Sequence, residues 1–383
     1  MNSLSYNRYI WDDIFVKISW SIYKTQQYDA EFYIIAEILQ PKLSGREQFN
    51  CIEQATERLQ KLEVFKNAVL VWKRYFVSDA INQRSWFDSP SQAAVSVIQQ
   101  PPLSGTKLAV LMYAAENVSL HSEDDGTTVM KRPHHTHLYN LQMHHKQGDS
   151  YEQTLAVFER YLQKLANHGC RLDAHCLRTW LFVQNIDKHY HGMVRARKEI
   201  FAFTGLTPQT HFIASTGIEG QSVHPEVIIT MDAYSIREIK QEQIRYLHAA
   251  SNLNPTCEYG VTFERGTCIQ YGDRRHIFIS GTASIDNQGK IVHLQHLDKQ
   301  IERMMENVLA LLSEAEAGWQ DVAHLVVYLR DIADYENTRI YFEKNFPKMP
   351  FIILLAPVCR PGWLVEVECS AIKAISDDRF ETF

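Results

Sequence analysis

The stretch Leu297–Gly318, LDKQIERMMENVLALLSEAEAG, followed from His324 by HLVVYLRDIAD, decides the fold. In the first part Ile301, Met304, Met305, Val308, Leu309 and Leu312 recur at helical spacing, and the second part is an apolar strand. The same shape occurs twice earlier in the chain. Leu155, Phe158, Leu162 and Leu165 mark a helical face in SYEQTLAVFERYLQKLANHG (150–169), and LRTWLFVQNID follows from Leu177. Phe49, Ile52, Ala55, Leu59 and Leu62 mark another, and AVLVWKRYFVSD follows from Ala68.

The likeness extends past these pairs. Gly169 and Gly318 close their helices, and a second helix ending in Phe follows each of the two later strands, HYHGMVRARKEIF (189–201) and YENTRIYFEKNF (335–346). The first segment carries the shorter INQRSWF (81–87) in that place. Each segment then closes on an apolar strand pair, within SVIQQPPLSGTKLAVLMYAA (96–115), STGIEGQSVHPEVIITMDAYSI (215–236) and FIILLAPVCRPGWLVEVECSAI (351–372). A fixed pattern recurring in this way is one supersecondary unit copied in tandem. Each copy reads as two early strands, a helix, a strand, a helix and a last strand pair. A sheet with helices on one face needs cover on the other, and three such units can cover one another. The expected architecture is therefore α+β, a pseudo-trimer of mixed sheets packed inward with helices outside.

The unit limits fall in polar stretches, which gives 1–120, 127–248 and 257–375. His121–Gly126 and Ala249–Cys257 are read as the separators, and the tail Ser376–Phe383 as loose. A chain of 383 residues suits two or three folding units at roughly 100 to 200 residues each. With 45% hydrophobic and 22% charged residues, disorder is excluded. The net charge of −6 argues against nucleic acid as the main partner, since that binding is carried by clustered Lys and Arg. The longest apolar run, Phe351–Val358, is far short of the roughly 20 residues that span a bilayer. The N-terminal MNSLSYNRYIWDD has neither a basic nor an apolar leader region, so a cytoplasmic location is expected. Seven cysteines form no CxxC and are expected to be free thiols.

IFISGTASIDNQGKIVH (277–293), a helix containing ENVLALL, a strand ending YLRD and PVCRPGWLVEVECSAI (357–372) resemble the RidA (YjgF) family, of the chorismate-mutase-like fold. That resemblance implies small subunits arranged as trimers, with a binding cleft at each subunit interface. It covers the whole chain as three fused units, most strongly 259–372, with units one and two degenerate and unit three carrying the site. Ser280–Ser284, Cys359-Arg360-Pro361 and Leu364–Glu368, with Arg178-Thr179-Trp180 and Ser215–Ile218, resemble the chorismatases more specifically. Those single-chain relatives cleave the enolpyruvyl ether of chorismate to pyruvate and a hydroxybenzoate or a dihydroxycyclohexadiene carboxylate. The resemblance places the proton donor at Glu366. It also places product-determining positions at Gly281 and Cys359, and a cysteine at 359 points toward a hydroxybenzoate.

The residues support that chemistry independently. Cleaving an enol ether needs a proton delivered to the terminal methylene carbon, and a carboxylic acid with a raised pKa suits the task. In Leu364-Val-Glu-Val-Glu-Cys369, strand alternation puts Glu366 and Glu368 on one face, about 7 Å apart, where mutual repulsion favours one of them staying protonated. Aligning ITMDAYSI with VEVECSAI pairs Thr230 with Glu366 and Asp232 with Glu368, while unit one offers only apolar residues. One catalytic site among three related clefts is expected. Two substrate carboxylates call for forked cations, and Arg360, then Arg265 and Arg178, are the candidates. Gly281 and Thr282 follow an apolar run, where a glycine permits close approach to the backbone.

The rival readings are a RidA-type binding protein for a carboxylate metabolite and an imine or enamine deaminase. Family deaminases hold the substrate carboxylate with an arginine fifteen residues before the glutamate, and here that count reaches Phe351. His134, His135, His137, His144 and His145 lack a carboxylate or thiol at motif spacing and are read as structural or surface residues. His189 and His191 are read likewise. Glu123-Asp124-Asp125 is read as solvated, and no dinucleotide, Walker or nucleophile-elbow motif occurs. The expected partner is thus a small carboxylate, without cofactor, metal, nucleic acid or membrane, bound by a monomer that is its own pseudo-trimer.

Overall fold

The computed structural model describes residues 3–25, 29–89 and 91–383. Unit one runs β1 (Ser3–Trp11), β2 (Val16–Lys24), β3 (Ala30–Ile38), α1 (Gly45–Gln60), β4 (Val69–Val77), α2 (Ala80–Gln83), β5 (Ala94–Gln99) and β6 (Leu108–Ala115). Unit two runs β7 (Ser119–Ser122), β8 (Thr128–Lys131), β9 (Thr136–His144), α3 (Ser150–Asn167), α4 (Leu172–His175), β10 (Cys176–Val183), α5 (Ile186–Phe203), β11 (Ala214–Glu219) and β12 (Ile229–Ile236). Unit three runs β13 (Ile244–Leu247), β14 (Gly266–Gln270), β15 (Arg274–Ala283), α6 (Leu297–Glu314), β16 (Val322–Leu329), α7 (Tyr335–Asn345), β17 (Phe351–Leu355) and β18 (Val365–Ala374).

Local chemistry starts the long helices where the apolar spacing predicts them. Ser44 before α1 and Asp149 before α3 each accept from the amide three residues on, while Glu47 and Glu152 reach back to the capping amide. α6 buries Ile301, Met304, Met305, Val308 and Leu312 against its sheet, while Leu309, expected on the same face, is exposed. No described helix is long and apolar enough to cross a membrane.

Each unit forms one six-stranded sheet in the same order: β1-β2-β3-β6-β4-β5, β7-β8-β9-β12-β10-β11 and β13-β14-β15-β18-β16-β17. In each, one pair is parallel (β4/β5, β10/β11, β16/β17), because a crossover joins those strands. One face of every sheet is covered by its own helices. The other faces meet at the centre in a shared aromatic core to which Tyr33 and Tyr113, Tyr139 and Tyr234, and Phe278 contribute from the three units. The three-unit, sheets-inward α+β architecture holds.

The register also shows how the units correspond. The strand after the first long helix slips by one residue against the last strand at the same place in each unit, between Leu70 and Trp72, Cys176 and Arg178, and Val322 and His324. Counting from that bulge makes Ala109, Thr230 and Glu366 equivalent, likewise Leu111, Asp232 and Glu368, and likewise Phe76, Phe182 and Tyr328.

Three details differ from the sequence reading. Three strands, not two, precede the first long helix of each unit, and the closing strands are separated in the sheet by the strand that follows that helix. The seams shift: 121–126 covers the end of β7 and the turn of the β7–β8 hairpin inside sheet two, and β13, placed with unit two, pairs with β14 in sheet three. Four-residue edge strands such as these bury too little to show an alternating pattern. The tail is not loose either. The Phe383 ring is buried, 4.0 Å from the Arg132 guanidinium and 4.5 Å from the His276 ring, and its amide donates to Asp273.

Candidate active site

Units two and three join along β11. The Glu264 amide donates to the Ile213 carbonyl at 3.0 Å, the Ser215 amide to the Ser280 hydroxyl at 2.9 Å, and the Gly281 amide to the Thr216 hydroxyl at 2.9 Å. Beside this seam lies a cavity of about 300 Å³, at the small end of ligand pockets. Unit three supplies Glu366, Cys359, Arg360, Gly281 and Arg265; unit two supplies Tyr190 and Arg197 from α5, with Ser215 and Gly217 from β11. Glu366, Arg360, Cys359, Gly281 and Arg265, five of the candidates, thus line one cavity.

Glu366 is buried. Burial, and then the negative charge of Glu368, push its carboxyl up to about 8, against the opposing pull of Arg178 and Arg265. Its neighbour on the same face meets the opposite surroundings. Glu368 accepts from Arg178 Nη2 at 2.7 Å, from Trp180 Nε1 at 2.9 Å and from the Thr216 hydroxyl. The two carboxyls thus differ in what surrounds them: Glu366 keeps its proton near neutral pH, while Glu368 is tied into hydrogen bonds from three donors. Gly281 packs under the acid, and a Cβ there would collide with the Glu366 carboxyl and stand 3.1 Å from Thr216 Cγ2. The close approach that calls for glycine is made by a side chain of the protein itself.

The cations around the cavity come from three separate elements. Arg265, ahead of β14, is buried and donates to the Asn254 carbonyl at 3.0 Å. Arg360 lies 4.8 Å from the Trp363 ring and donates to the Gly289 carbonyl at 3.3 Å. Arg197 sits on the buried face of α5, and its place between Met193 and Phe201 on that apolar stripe is the sequence signal that was overlooked. The Cys359 thiol is pushed up to about 12 by burial and by Glu366, so it is a neutral lining group.

Two candidates are not brought to the cavity. Arg178 points to the pseudo-threefold axis and is consumed by Glu368 and Thr216; a fully buried guanidinium goes to the nearest carboxylate. Thr282 turns its hydroxyl back to the Ser280 carbonyl at 2.9 Å, because the β15 bulge rotates it away. Phe351 also lies elsewhere, in the cleft between units three and one. The residue at its register position beside Glu366 is Ser215, from the neighbouring unit. His137 hydrogen-bonds the Tyr234 hydroxyl at 2.8 Å, and His135 packs against Tyr271, both inside the protein. Among the described residues no three His, Cys, Asp or Glu side chains cluster as a metal would require.

Comparison with known proteins bears on this arrangement. The family described as Endoribonuclease L-PSP matches residues 269–373, which include Gly281, Cys359, Arg360 and Glu366. The RutC family protein of Saccharolobus solfataricus is 30% identical over 96 residues, covering 25% of this chain and 76% of the relative. The 3-aminoacrylate deaminase RutC of Acinetobacter baylyi is 28% identical over 72 residues, 19% of this chain and 57% of the relative. A crystal structure of chorismatase superposes on 79% of this chain and 92% of its own length, with a TM-score of 0.61 and 17% sequence identity. At that identity the shared property is the three-unit fold. The chain belongs to the RidA (YjgF) family, to which the RutC proteins also belong, and has a chorismatase-like fold.

Proposed function

We propose that the protein cleaves the enolpyruvyl ether of chorismate, with Glu366 as the proton donor. One observation carries the reading: a buried carboxyl held protonated near neutral pH faces a cavity lined by Arg197, Arg265 and Arg360. Chorismate carries two carboxylates, and guanidinium groups from separate elements suit a substrate with two anionic ends.

In this mechanism the alkene π electrons take the Glu366 proton at the terminal methylene carbon, leaving an oxocarbenium centre and the Glu366 carboxylate. Burial and the Glu368 charge keep the proton on Glu366 at neutral pH, so that the acid form is the one that meets the substrate. If water adds to the cation, collapse gives pyruvate and a dihydroxycyclohexadiene carboxylate. If a ring hydroxyl of the substrate adds instead and the ring aromatises, pyruvate and a hydroxybenzoate form with no net uptake of water. Cys359 in the lining favours the second outcome. The site is complete within one chain, since unit two supplies what a second subunit would.

The test is incubation with chorismate, with pyruvate and the ring product quantified. Both should form. If the purified protein leaves chorismate intact while a control chorismatase consumes it, the reading fails. A second reading is supported by the RutC relatives. Protonation of an enamine carbon next to a carboxylate uses the same acid and gives an iminium; water would then add to it, and 3-aminoacrylate would release ammonia and leave an aldehyde acid. No arginine occupies either Phe351 or Ser215, which makes ether cleavage the better fit. A pure binding role predicts that Glu366→Gln leaves ligand-induced thermal stabilisation intact and that no product forms.

A further inference from the structure

Strand β16 carries a buried polar group that the proposed chemistry leaves unused. Tyr328 is wholly buried, and among the described residues its hydroxyl makes no hydrogen bond. A buried hydroxyl without a partner is unfavourable and asks for a reason. Packing does not supply one. The equivalent positions are Phe76 in unit one and Phe182 in unit two, both fully buried and both core residues. A phenyl ring therefore suffices to fill this place in the fold. The hydroxyl is present in the one unit that carries the acid.

Its neighbours suggest what it does. Tyr328 is the direct cross-strand partner of Glu366 in the β16–β18 pair, so the two side chains share a face. Its electrostatic neighbours are Glu368 and Glu366 on β18, Arg74 on β4 and Arg178 on β10. Burial and the two carboxylates hold it neutral far beyond physiological pH. Around Glu366 itself stand Glu368, Arg178, Arg265 and the Cys359 thiol. Of these, Arg178 is engaged by Glu368. Tyr328 remains as a neutral donor beside a carboxyl that becomes an anion each time it gives up its proton.

We infer that Tyr328 is a positioning residue, whose hydroxyl donates a hydrogen bond to the Glu366 carboxylate as the proton leaves. This rests on Glu366 being the proton donor, but its test does not require the substrate to be known. In ligand-free protein with ¹³C-labelled glutamate side chains, the Glu366 signal is assigned by its absence in Glu366→Gln and titrated. Without the donor the anion is less stabilised, so in Tyr328→Phe the midpoint should rise by about one unit, a tenfold change in the ionisation constant. Thermal stability should be kept or slightly raised, as Phe76 and Phe182 foretell. With chorismate, kcat for pyruvate release should fall about tenfold, with KM within twofold and the alkaline limb of the pH profile displaced upward. An unmoved midpoint overturns the inference whatever the substrate, and a large fall in stability with an unmoved midpoint would make the hydroxyl structural. A raised midpoint in a protein that leaves chorismate intact supports the pairing and sinks only the choice of substrate.

Discussion

The seam between units one and two and the seam between units two and three are made of the same parts. At the first, Asp232 accepts from Arg74 at 2.8 Å and from the Ser96 hydroxyl at 3.1 Å. At the second, Glu368 accepts from Arg178 and from the Thr216 hydroxyl. Ser96 and Thr216 hold the same register position on β5 and β11, and Asp232 and Glu368 on β12 and β18. The acid present at both seams is thus the one that docks neighbouring units. What differs is the residue two places earlier, Thr230 against Glu366, and the equivalent residue in the strand bulge, Gln142 against Gly281. The Gln142 side chain reaches across the seam and donates to the Val97 carbonyl at 3.2 Å, whereas Gly281 leaves room for a carboxyl. A shared structural carboxylate and an unshared protonated one divide the roles that the sequence motif VEVE holds side by side.

The largest effect should come from the unshared acid. Glu366→Gln keeps the shape and removes the proton, and should lower pyruvate release by about 10²- to 10⁴-fold, the usual worth of a general acid. Circular dichroism and the unfolding curve should stay native. If the variant retains more than a tenth of wild-type turnover, the distinction between the two seams loses its chemical meaning.

The shared acid should answer to stability first. Arg178→Met strands the Glu368 carboxylate in the interior, and breaking a buried pair from one side costs about 3–5 kcal/mol. Urea unfolding should show a loss of that order, and Arg74→Met should show a comparable one at the first seam, where Asp232 is fully buried. A loss under 1 kcal/mol in both would mean that these pairs do not dock the units.

The pH dependence of folding should separate the acids next. The folded chain holds the Glu366 proton up to about pH 8, while an ordinary glutamate gives it up near 4.5. A raised carboxyl contributes stability that is whole below the unfolded value and is lost as pH climbs through the folded one. Between pH 4.5 and 8, wild type should therefore lose stability relative to Glu366→Gln, by at most about 1.4 kcal/mol per pH unit. The difference should be flat above pH 9. Pyruvate release should decline over the alkaline end of the same range as the donor loses its proton. A difference that does not change with pH would place the Glu366 titration in the ordinary range.

Much of this contrast can be read before any coordinates. The long helices and the strands after them announce themselves by apolar spacing, and Glu366 by being charged within an apolar strand. Which arginine meets which carboxylate cannot be read, because that depends on how one unit docks on the next. Arg178 therefore looks like a substrate ligand until its carboxylate partner is seen, and the fifteen-residue count that reaches Phe351 does not reveal that Ser215 of the neighbouring unit holds the equivalent place beside Glu366. Arg197 goes unnoticed because a helix taken as packing surface hides the cation that it turns toward the neighbouring unit.

A smaller effect should follow from the bulge itself. Gly281→Ala places a methyl against the Glu366 carboxyl and the Thr216 side chain. The carboxyl must swing away, toward the cavity or toward solvent. Its midpoint should fall toward the ordinary glutamate value, and turnover should drop about tenfold or more, with a stability loss of about 1–3 kcal/mol from crowding. An unchanged midpoint with full turnover would show that the glycine is not what admits the acid.

The smallest effect expected is none at all, and it asks whether the acid alone makes a site. Gln142→Gly combined with Thr230→Glu would give the first seam the glycine and the carboxyl of the second, with Asp232 standing where Glu368 stands. The introduced carboxyl should titrate above the ordinary range, because burial and a neighbouring anion act on it as they do on Glu366. Arg197, Arg265 and Arg360, however, all line the cavity of the other seam. Placed in a Glu366→Gln background, the double substitution should therefore leave pyruvate release at the level of Glu366→Gln alone. Restored turnover would mean that a protonated carboxyl in a seam is sufficient, and that the arginines of the working cleft do not select the substrate.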